Sequence, residues 1–142
     1  MNNMLLSEWL MKNPAEYITV NEEASLETII TKVMQHPVIN DIYVVDSNDC
    51  PVGHISKMRL ARIYLSEHRQ TQSRRQLLER VVMGCAREIM SSSFPIGHAD
   101  EYIFDVIHKQ VEHELFDMAV INNSGRMIGA VTINDILRSY LK

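Results

Sequence analysis

Apolar and polar positions follow two spacings along this chain, one typical of helices and one typical of strands. Apolar residues from Leu5 to Leu10 recur near helical intervals and predict a short amphipathic helix that ends at Asn13-Pro14. Ser25 precedes a longer helical stripe. The first half of the chain therefore has this predicted order: a helix within residues 1–16, a strand at 17–20, a helix from residue 26, strands at 42–46 and 51–55, and a helix after residue 56.

The second half of the chain repeats this order of elements. Residues 42–64 align without a gap with residues 118–140, an offset of 76 positions, and the helix at 26–34 matches 103–111 with an offset of 77. The first strand of the second copy is predicted at 94–96. A polar connector at 66–80, predicted to become helical from about residue 73 to residue 85, separates the copies. A repeat of this length indicates two structurally similar halves.

The junction between the strand at 127–131 and the last helix carries the clearest candidate chemistry. Thr132 stands where the extended pattern ends, and Asp135 follows three residues later, which is the signature of a capping box. The same helix start presents unpaired backbone N–H groups and a positive dipole end, which together favour a phosphate. From these residues alone, simple helix capping and a phosphate and sugar site are both open.

Composition narrows the classes of function. The chain has 142 residues, of which 46% are hydrophobic and 23% charged, as in a globular protein that buries a core. A net charge of −4 gives no electrostatic reason for broad binding to nucleic acid. No apolar run has the length of a membrane span, so we expect a soluble, cytoplasmic chain, either free-standing or part of a larger protein. Six scattered histidines and two cysteines without a neighbouring base predict neither a metal site nor nucleophilic catalysis.

Two copies of strand, helix, strand, strand, helix, with hairpins that end in Gly-x-hydrophobic-Ser/Thr, resemble a tandem pair of CBS (cystathionine-β-synthase-type) domains, also called a Bateman module. The segment from Gly129 to Asp135 fits the family motif at each defining position. The resemblance implies an α/β (α+β) fold in which two pseudo-twofold-related βαββα repeats pack sheet to sheet and leave two clefts. The implied domains are a first repeat with the N-terminal helix at 1–65, a helical connector at 66–86 and a second repeat at 87–142.

The resemblance also implies a ligand. Many relatives hold adenine nucleotides or adenosyl compounds in these clefts, so AMP, ADP, ATP or S-adenosylmethionine is the expected ligand, and no cofactor is required. By this analogy the hydroxyl of Thr132 and the helix start receive phosphate, and the carboxylate of Asp135 binds the ribose hydroxyls. The residues implied to hold the base are Phe94, Pro95, Ile96, Met118 and Ala119.

The first copy departs from the motif, because Arg59 stands where the family has Asp. An arginine cannot accept hydrogen bonds from a ribose diol, so the resemblance implies either an altered site or an empty one. In an altered site Arg59 meets phosphate; in the simpler interpretation Ser56 is only a helix cap and Arg59 is solvated. The implied altered site consists of Ser56, Arg59, Thr19, Ile42 and Tyr43.

The function implied by the resemblance is a regulatory module that senses its ligand through the relative orientation of its halves and signals to an effector domain or protein. The alternative is a ligand-free module for dimerisation or docking within a larger protein or complex, which the degraded first motif favours. Neither function is enzymatic, and neither involves nucleic acid or a membrane directly. Relatives commonly form dimers, so we expect a homodimer, with exposed apolar positions such as Leu60, Ile63 and Leu137 as candidate contacts.

Overall fold

A computed structural model describes residues 3–67 and 84–142. Most of the predicted connector helix lies outside these ranges; its last residue, Cys85, is extended and precedes a short helix. The first half contains α1 (Leu6–Lys12), β1 (Ile18–Asn21), α2 (Leu26–Gln35), β2 (Asp41–Val45), β3 (Pro51–Ser56) and α3 (Lys57–Glu67). The second half contains α4 (Ala86–Ile89), β4 (Gly97–His98), α5 (Ile103–Glu112), β5 (Asp117–Ile121), β6 (Met127–Thr132) and α6 (Ile133–Tyr140).

The strands form two three-stranded sheets of identical topology, ordered β1-β2-β3 and β4-β5-β6. In each sheet the first pair is parallel and the second pair is antiparallel. The register shifts after Val44 in one sheet and after Val120 in the other, which are equivalent positions of the repeat. The predicted α+β fold with two βαββα repeats is therefore confirmed.

The two sheets meet at a small buried cluster. Tyr43 on β2, Ala119 on β5 and Met127 on β6 are buried together, and Phe94 packs against them. Since β2 and β5 are the central strands of their sheets, this contact joins the centres of the two repeats. The predicted packing of sheet against sheet is present.

The first strand of the second repeat lies later than predicted. Residues 94–96 are not paired, and the strand is Gly97–His98, which pairs in parallel with Val120 and Ile121. Pro95 has no N–H to donate to a neighbouring strand, and the carbonyl of Ile96 accepts a hydrogen bond from Lys109 Nζ at 2.8 Å instead. The prediction of a strand at 94–96 was therefore wrong.

Helices α1 and α4 each pack on the opposite repeat. Leu6 and Trp9 of α1 are buried in the core of the second repeat, whereas Ala86 and Ile89 of α4 are buried in the core of the first. Equivalent backbone hydrogen bonds hold both helices: Leu6 N donates to Glu101 O and Ala86 N donates to Ala24 O, each at 2.8 Å. Each repeat therefore completes its core with a helix from the other half of the chain.

The glycines of the two hairpins make this exchange possible. A Cβ atom at Gly53 would lie 2.9 Å from Met90 Cβ, and one at Gly129 would lie 3.0 Å from Leu10 Cδ1. Met90 follows α4 and Leu10 belongs to α1. Gly53 is therefore needed for the close approach of Met90 to the sheet, whereas a side chain at Gly129 would require the end of the Leu10 side chain to shift.

Candidate functional site

A cleft of about 350 Å³, called the second cleft here, lies at the start of α6 between the two repeats. Asp117 and Thr132 reach it from β5 and β6, and α6 contributes Asp135 and Arg138. The opposite wall comes from the first half of the chain. Asn134 of α6 also lines the cleft. The lining residues of the opposite wall are Pro14, Ala15, Glu16, Val38 and Ile39.

The start of α6 shows half of the predicted capping box. Thr132 Oγ1 accepts a hydrogen bond from Asp135 N at 3.1 Å, as predicted for an N-cap. The carboxylate of Asp135 accepts a hydrogen bond from the guanidinium of Arg138, with 2.5 Å between Oδ1 and Nη1. Arg138 lies almost one turn further along the helix and offers a charged donor. The structure thus brings Thr132 and Asp135 together at one cleft wall and adds Arg138 to them.

A smaller cleft of about 270 Å³, the first cleft, lies at the equivalent start of α3. Ser56 Oγ accepts a hydrogen bond from Arg59 N at 3.0 Å and caps the helix as predicted. The side chain of Arg59 turns towards α4, where its Nε donates to Ile89 O at 3.3 Å. The remaining lining residues are His54, Arg62, Met90 and Ser91. Ser56 and Arg59 therefore share a cleft, and their role in an altered site stays a prediction.

The residues predicted to hold the base do not line the second cleft. Phe94 packs on the first repeat, with its ring centroid 5.8 Å from that of Tyr43. Met118 and Ala119 have no exposed surface, because both faces of β5 are covered. The exchange of α1 and α4 explains the difference, since it brings residues 14–16 rather than 94–96 to the start of α6. The residues that do not line the second cleft are Phe94, Pro95, Ile96, Met118 and Ala119, so a role for them in holding a base stays a prediction.

The residues added to the altered first site also lie elsewhere. Ile42 belongs to the core of the first repeat, and Tyr43 is fully buried between the sheets. The carbonyl of Thr19 accepts a hydrogen bond from Lys32 Nζ at 2.9 Å. None of these three residues lines the first cleft as the structure describes it.

A reciprocal pair of aspartates, which we call the aspartate clasp, joins the repeats beside the second cleft. Asp41 Oδ2 accepts hydrogen bonds from Phe116 N at 3.0 Å and Asp117 N at 2.9 Å. Asp117 Oδ2 accepts hydrogen bonds from Asn40 N at 2.7 Å and Asp41 N at 3.2 Å. Sequence reasoning missed the clasp, although both aspartates occupy the same position in the repeat, 76 residues apart.

Polar side chains of the first repeat surround the clasp on one side. His54 Nε2 lies 2.8 Å from Asp41 Oδ1, and the hydroxyl of Tyr43 donates to Asp117 O at 2.8 Å. Burial raises the pKa of Tyr43, and the charge of Asp41 adds to this effect. Burial also raises the pKa of Asp117, to which the charge of Asp41 contributes, while the amide of Asn40 opposes the shift. The clasp therefore holds two carboxyl groups close together, and the ionised form of Asp117 is destabilised there.

This shift predicts a pH-dependent effect of Asp117→Asn. Folding raises the pKa of Asp117, so the stability that its protonated form contributes is present at low pH and is lost as the pH rises through the pKa of the folded state. Asparagine keeps an acceptor oxygen without the charge. We expect the free energy of unfolding of the variant relative to wild type to increase between about pH 4 and about pH 7. Urea unfolding across this range measures the difference, and a difference independent of pH would contradict the prediction.

The surface positions predicted as dimer contacts have different environments. Leu60 is buried in the core of the first repeat, and Ile63 packs against that core. Leu137 on α6 is exposed, as predicted. Leu60 faces inwards because α3 covers the sheet of its own repeat, so the prediction of an exposed Leu60 was wrong.

Two further observations concern only residues 3–67 and 84–142. In these ranges no three His, Cys, Asp or Glu side chains are arranged to hold a metal ion. The helices found there are all too short or too polar to cross a bilayer.

The chain matches the profile of one known family. The profile of the CBS domain matches twice, over residues 7–66 and 86–142. The two matches together span more than half of the chain and coincide with the two repeats of the fold. A comparison with curated protein sequences gives no significant match.

Solved structures with the same fold are similar to the chain at low sequence identity. A CBS domain-containing protein from Thermotoga maritima is 20% identical with a TM-score of 0.77, and the match covers 98% of this chain and 95% of that one. The CBS domain pair of protein MJ0100, in complex with 5′-methylthioadenosine and S-adenosyl-L-methionine, is 22% identical with a TM-score of 0.71 and coverages of 98% and 97%. The cytosolic domain of the Mg²⁺ channel MgtE, in complex with ATP, is 20% identical with a TM-score of 0.65. The match covers 87% of this chain but only 44% of the MgtE domain.

Proposed function

The chain belongs to the CBS domain family, and we propose that it is a regulatory module that binds an adenine nucleotide or an adenosyl compound in the second cleft. The observation that carries this proposal is the position of Asp135. Its carboxylate lies at the start of α6, beside the cap residue Thr132, in a cleft with walls from both repeats. Similar CBS structures hold ATP, 5′-methylthioadenosine and S-adenosyl-L-methionine.

The lining of the second cleft fits the parts of a nucleoside. A carboxylate accepts hydrogen bonds from two neighbouring hydroxyls, so Asp135 suits a ribose diol. Apolar side chains of Pro14, Val38 and Ile39 on the opposite wall offer a surface for a base. A ligand held by both walls contacts both repeats and therefore favours one relative orientation of them. An effector domain or protein that contacts both repeats would respond to that orientation.

Isothermal titration calorimetry tests the proposal directly. Protein refolded from denaturant, and shown by mass spectrometry to carry no ligand, is titrated with AMP, ADP, ATP, S-adenosylmethionine and adenosine. We expect saturable binding of at least one compound with one site per chain that requires Asp135. Absence of binding by all five would overturn the proposal and favour the alternative, a ligand-free module for dimerisation or docking.

Thermal unfolding also distinguishes a ligand-binding module from a ligand-free module for dimerisation or docking. A ligand that binds only the folded chain raises the unfolding midpoint as its concentration increases.

Proteins built from CBS domain pairs are typically regulatory, and we propose that this chain likewise has no catalytic activity of its own.

We further propose that the chain forms a homodimer through exposed apolar side chains of α3 and α6. Met58 and Leu65 are exposed on α3, and Leu137 and Tyr140 are exposed on α6. These helices occupy equivalent positions in the two repeats. Burial of such side chains against a second copy would stabilise the pair. A monomeric mass in light scattering at micromolar concentration would contradict this assembly.

A further inference from the structure

The two clefts carry opposite charge. The second cleft is lined by the carboxylates of Glu16, Asp117 and Asp135, with Arg138 as its basic residue. The first cleft is lined by two guanidinium groups, with no carboxylate among its described lining residues. In the second cleft Arg138 is already paired with Asp135. An incoming anion therefore meets uncompensated negative charge there.

The charge of Asp117 lies close to the helix start that would receive a phosphate. Asp117 is the strand partner of Thr132 across the β5–β6 pair. Its side chain is held in place by the amides of Asn40 and Asp41, and the residue is 5% exposed. A carboxylate at this position interacts favourably with the positive end of the helix dipole, as a phosphate would. The position that a phosphate needs is thus next to an acidic side chain that is held in place and that is negatively charged once it ionises.

The backbone donors at the start of α6 are also partly used. Ile133 N donates to Phe116 O at 2.9 Å, and Asp135 N donates to Thr132 Oγ1 at 3.1 Å. Two of the first three N–H groups of the helix therefore have partners within the chain. A phosphate at this helix start would have to displace these bonds or do without them.

We propose that the second cleft selects adenosine-type nucleosides that carry no phosphate, with a neutral or cationic group at the 5′ carbon, and that Asp117 is the residue that excludes phosphate. This inference rests on the proposed function. The ribose contact with Asp135 does not depend on the 5′ group, so a nucleoside retains it. A phosphate brings negative charge into a cleft of about 350 Å³ that already has more carboxylates than basic groups. Repulsion therefore weakens the binding of a nucleotide and leaves the binding of a nucleoside unaffected.

Competition titration tests this selection at one site. Adenosine is bound first, and 5′-methylthioadenosine and AMP are then measured as competitors at about pH 8, where carboxylates are ionised. Because the first cleft is basic, competition with adenosine keeps binding of AMP there out of the measurement. We expect 5′-methylthioadenosine to compete at least about tenfold better than AMP in the wild-type chain.

Two matched variants identify the residue responsible. Asp117→Asn removes the charge and keeps an acceptor for the clasp. We expect it to increase the affinity for AMP, so that the preference for 5′-methylthioadenosine over AMP falls to about threefold or less. Asp41→Asn removes the equivalent charge on the other side of the clasp, from a residue that does not line the second cleft, and is expected to reduce the preference for 5′-methylthioadenosine over AMP much less than Asp117→Asn does. Circular dichroism melting verifies that both variants are folded at the temperature of the titration.

Each result decides the inference. AMP that competes as well as 5′-methylthioadenosine in the wild-type chain would overturn the proposed selection while leaving nucleotide binding intact. Equal narrowing by Asp41→Asn and Asp117→Asn would overturn the role of Asp117. If neither adenosine, 5′-methylthioadenosine nor AMP binds, while another adenine compound does, the selection is wrong and the proposed function stands. Absence of all binding overturns both.

Discussion

Asp41→Ala is expected to lower the free energy of unfolding by about 3 kcal/mol, because it leaves the buried N–H group of Asp117 and the partly buried N–H group of Phe116 without an acceptor. Asp41 is 4% exposed and its Oδ2 accepts from Phe116 N and Asp117 N. Each unsatisfied buried donor costs about 1–3 kcal/mol. The variant also removes the partner of His54 at the edge of the first cleft. The loss acts on the contact between the repeats and not on either core.

Asp41→Asn is the matched control for this effect. Asparagine retains a carbonyl oxygen in the place of one carboxylate oxygen and removes the repulsion between Asp41 and Asp117. Its stability is expected to lie within about 1 kcal/mol of wild type at neutral pH. Urea unfolding of both variants at the same pH measures the difference. A loss of less than about 1 kcal/mol for Asp41→Ala would show that water replaces the carboxylate at these amides.

The parts of the fold that follow from local physics could be predicted from the sequence. Ser25, Ser56 and Thr132 were predicted to start helices, and each side chain accepts a backbone hydrogen bond from the residue three positions later. The repeat could be predicted because the apolar spacing that forms one sheet and its helices occurs twice. These signals depend on residues close together in the sequence, and a single chain contains them.

The composition of the clefts could not be predicted in the same way. Nothing local to residues 5–16 indicates that α1 packs on the second repeat and carries Glu16 to the second cleft. The short helix α4 makes the equivalent crossing in the other direction. The resemblance implied a base contact at Phe94, in the same repeat as Asp135, whereas the second cleft takes its opposite wall from the first half of the chain. The exchange of helices makes each cleft a joint product of the two repeats, which only tertiary packing decides.

The aspartate clasp connects the two repeats through a continuous series of hydrogen bonds. Lys57 N, at the start of α3, donates to Asn40 O, and Asn40 N donates to Asp117. Ile133 N, at the start of α6, donates to Phe116 O, and Phe116 N donates to Asp41. The two helix starts that line the two clefts are thus joined through the clasp. The relative position of the repeats and the geometry of both clefts therefore depend on the same few hydrogen bonds.

Asp135→Ala is expected to weaken binding of adenosine-class ligands in the second cleft by at least about 100-fold. A carboxylate that accepts from both ribose hydroxyls makes two charge-assisted hydrogen bonds, worth about 1.5–3 kcal/mol each. Loss of about 3 kcal/mol corresponds to more than a hundredfold in the dissociation constant. Calorimetric titration of wild type and variant with the same ligand measures the ratio.

Two comparisons separate loss of ribose recognition from damage to the fold. Arg59→Ala changes the equivalent position of the first repeat, so its affinity for a ligand of the second cleft is expected to stay within about threefold of wild type. The wild-type chain is expected to prefer adenosine over 2′-deoxyadenosine at least about tenfold, and Asp135→Ala is expected to remove this preference, because the side chain that reads the 2′-hydroxyl is gone. Alanine costs the helix start only about 1 kcal/mol of favourable interaction with the helix dipole, so the variant remains folded. Affinity within about threefold of wild type, or an unchanged preference for the ribose, would show that Asp135 serves α6 and Arg138 rather than a ligand.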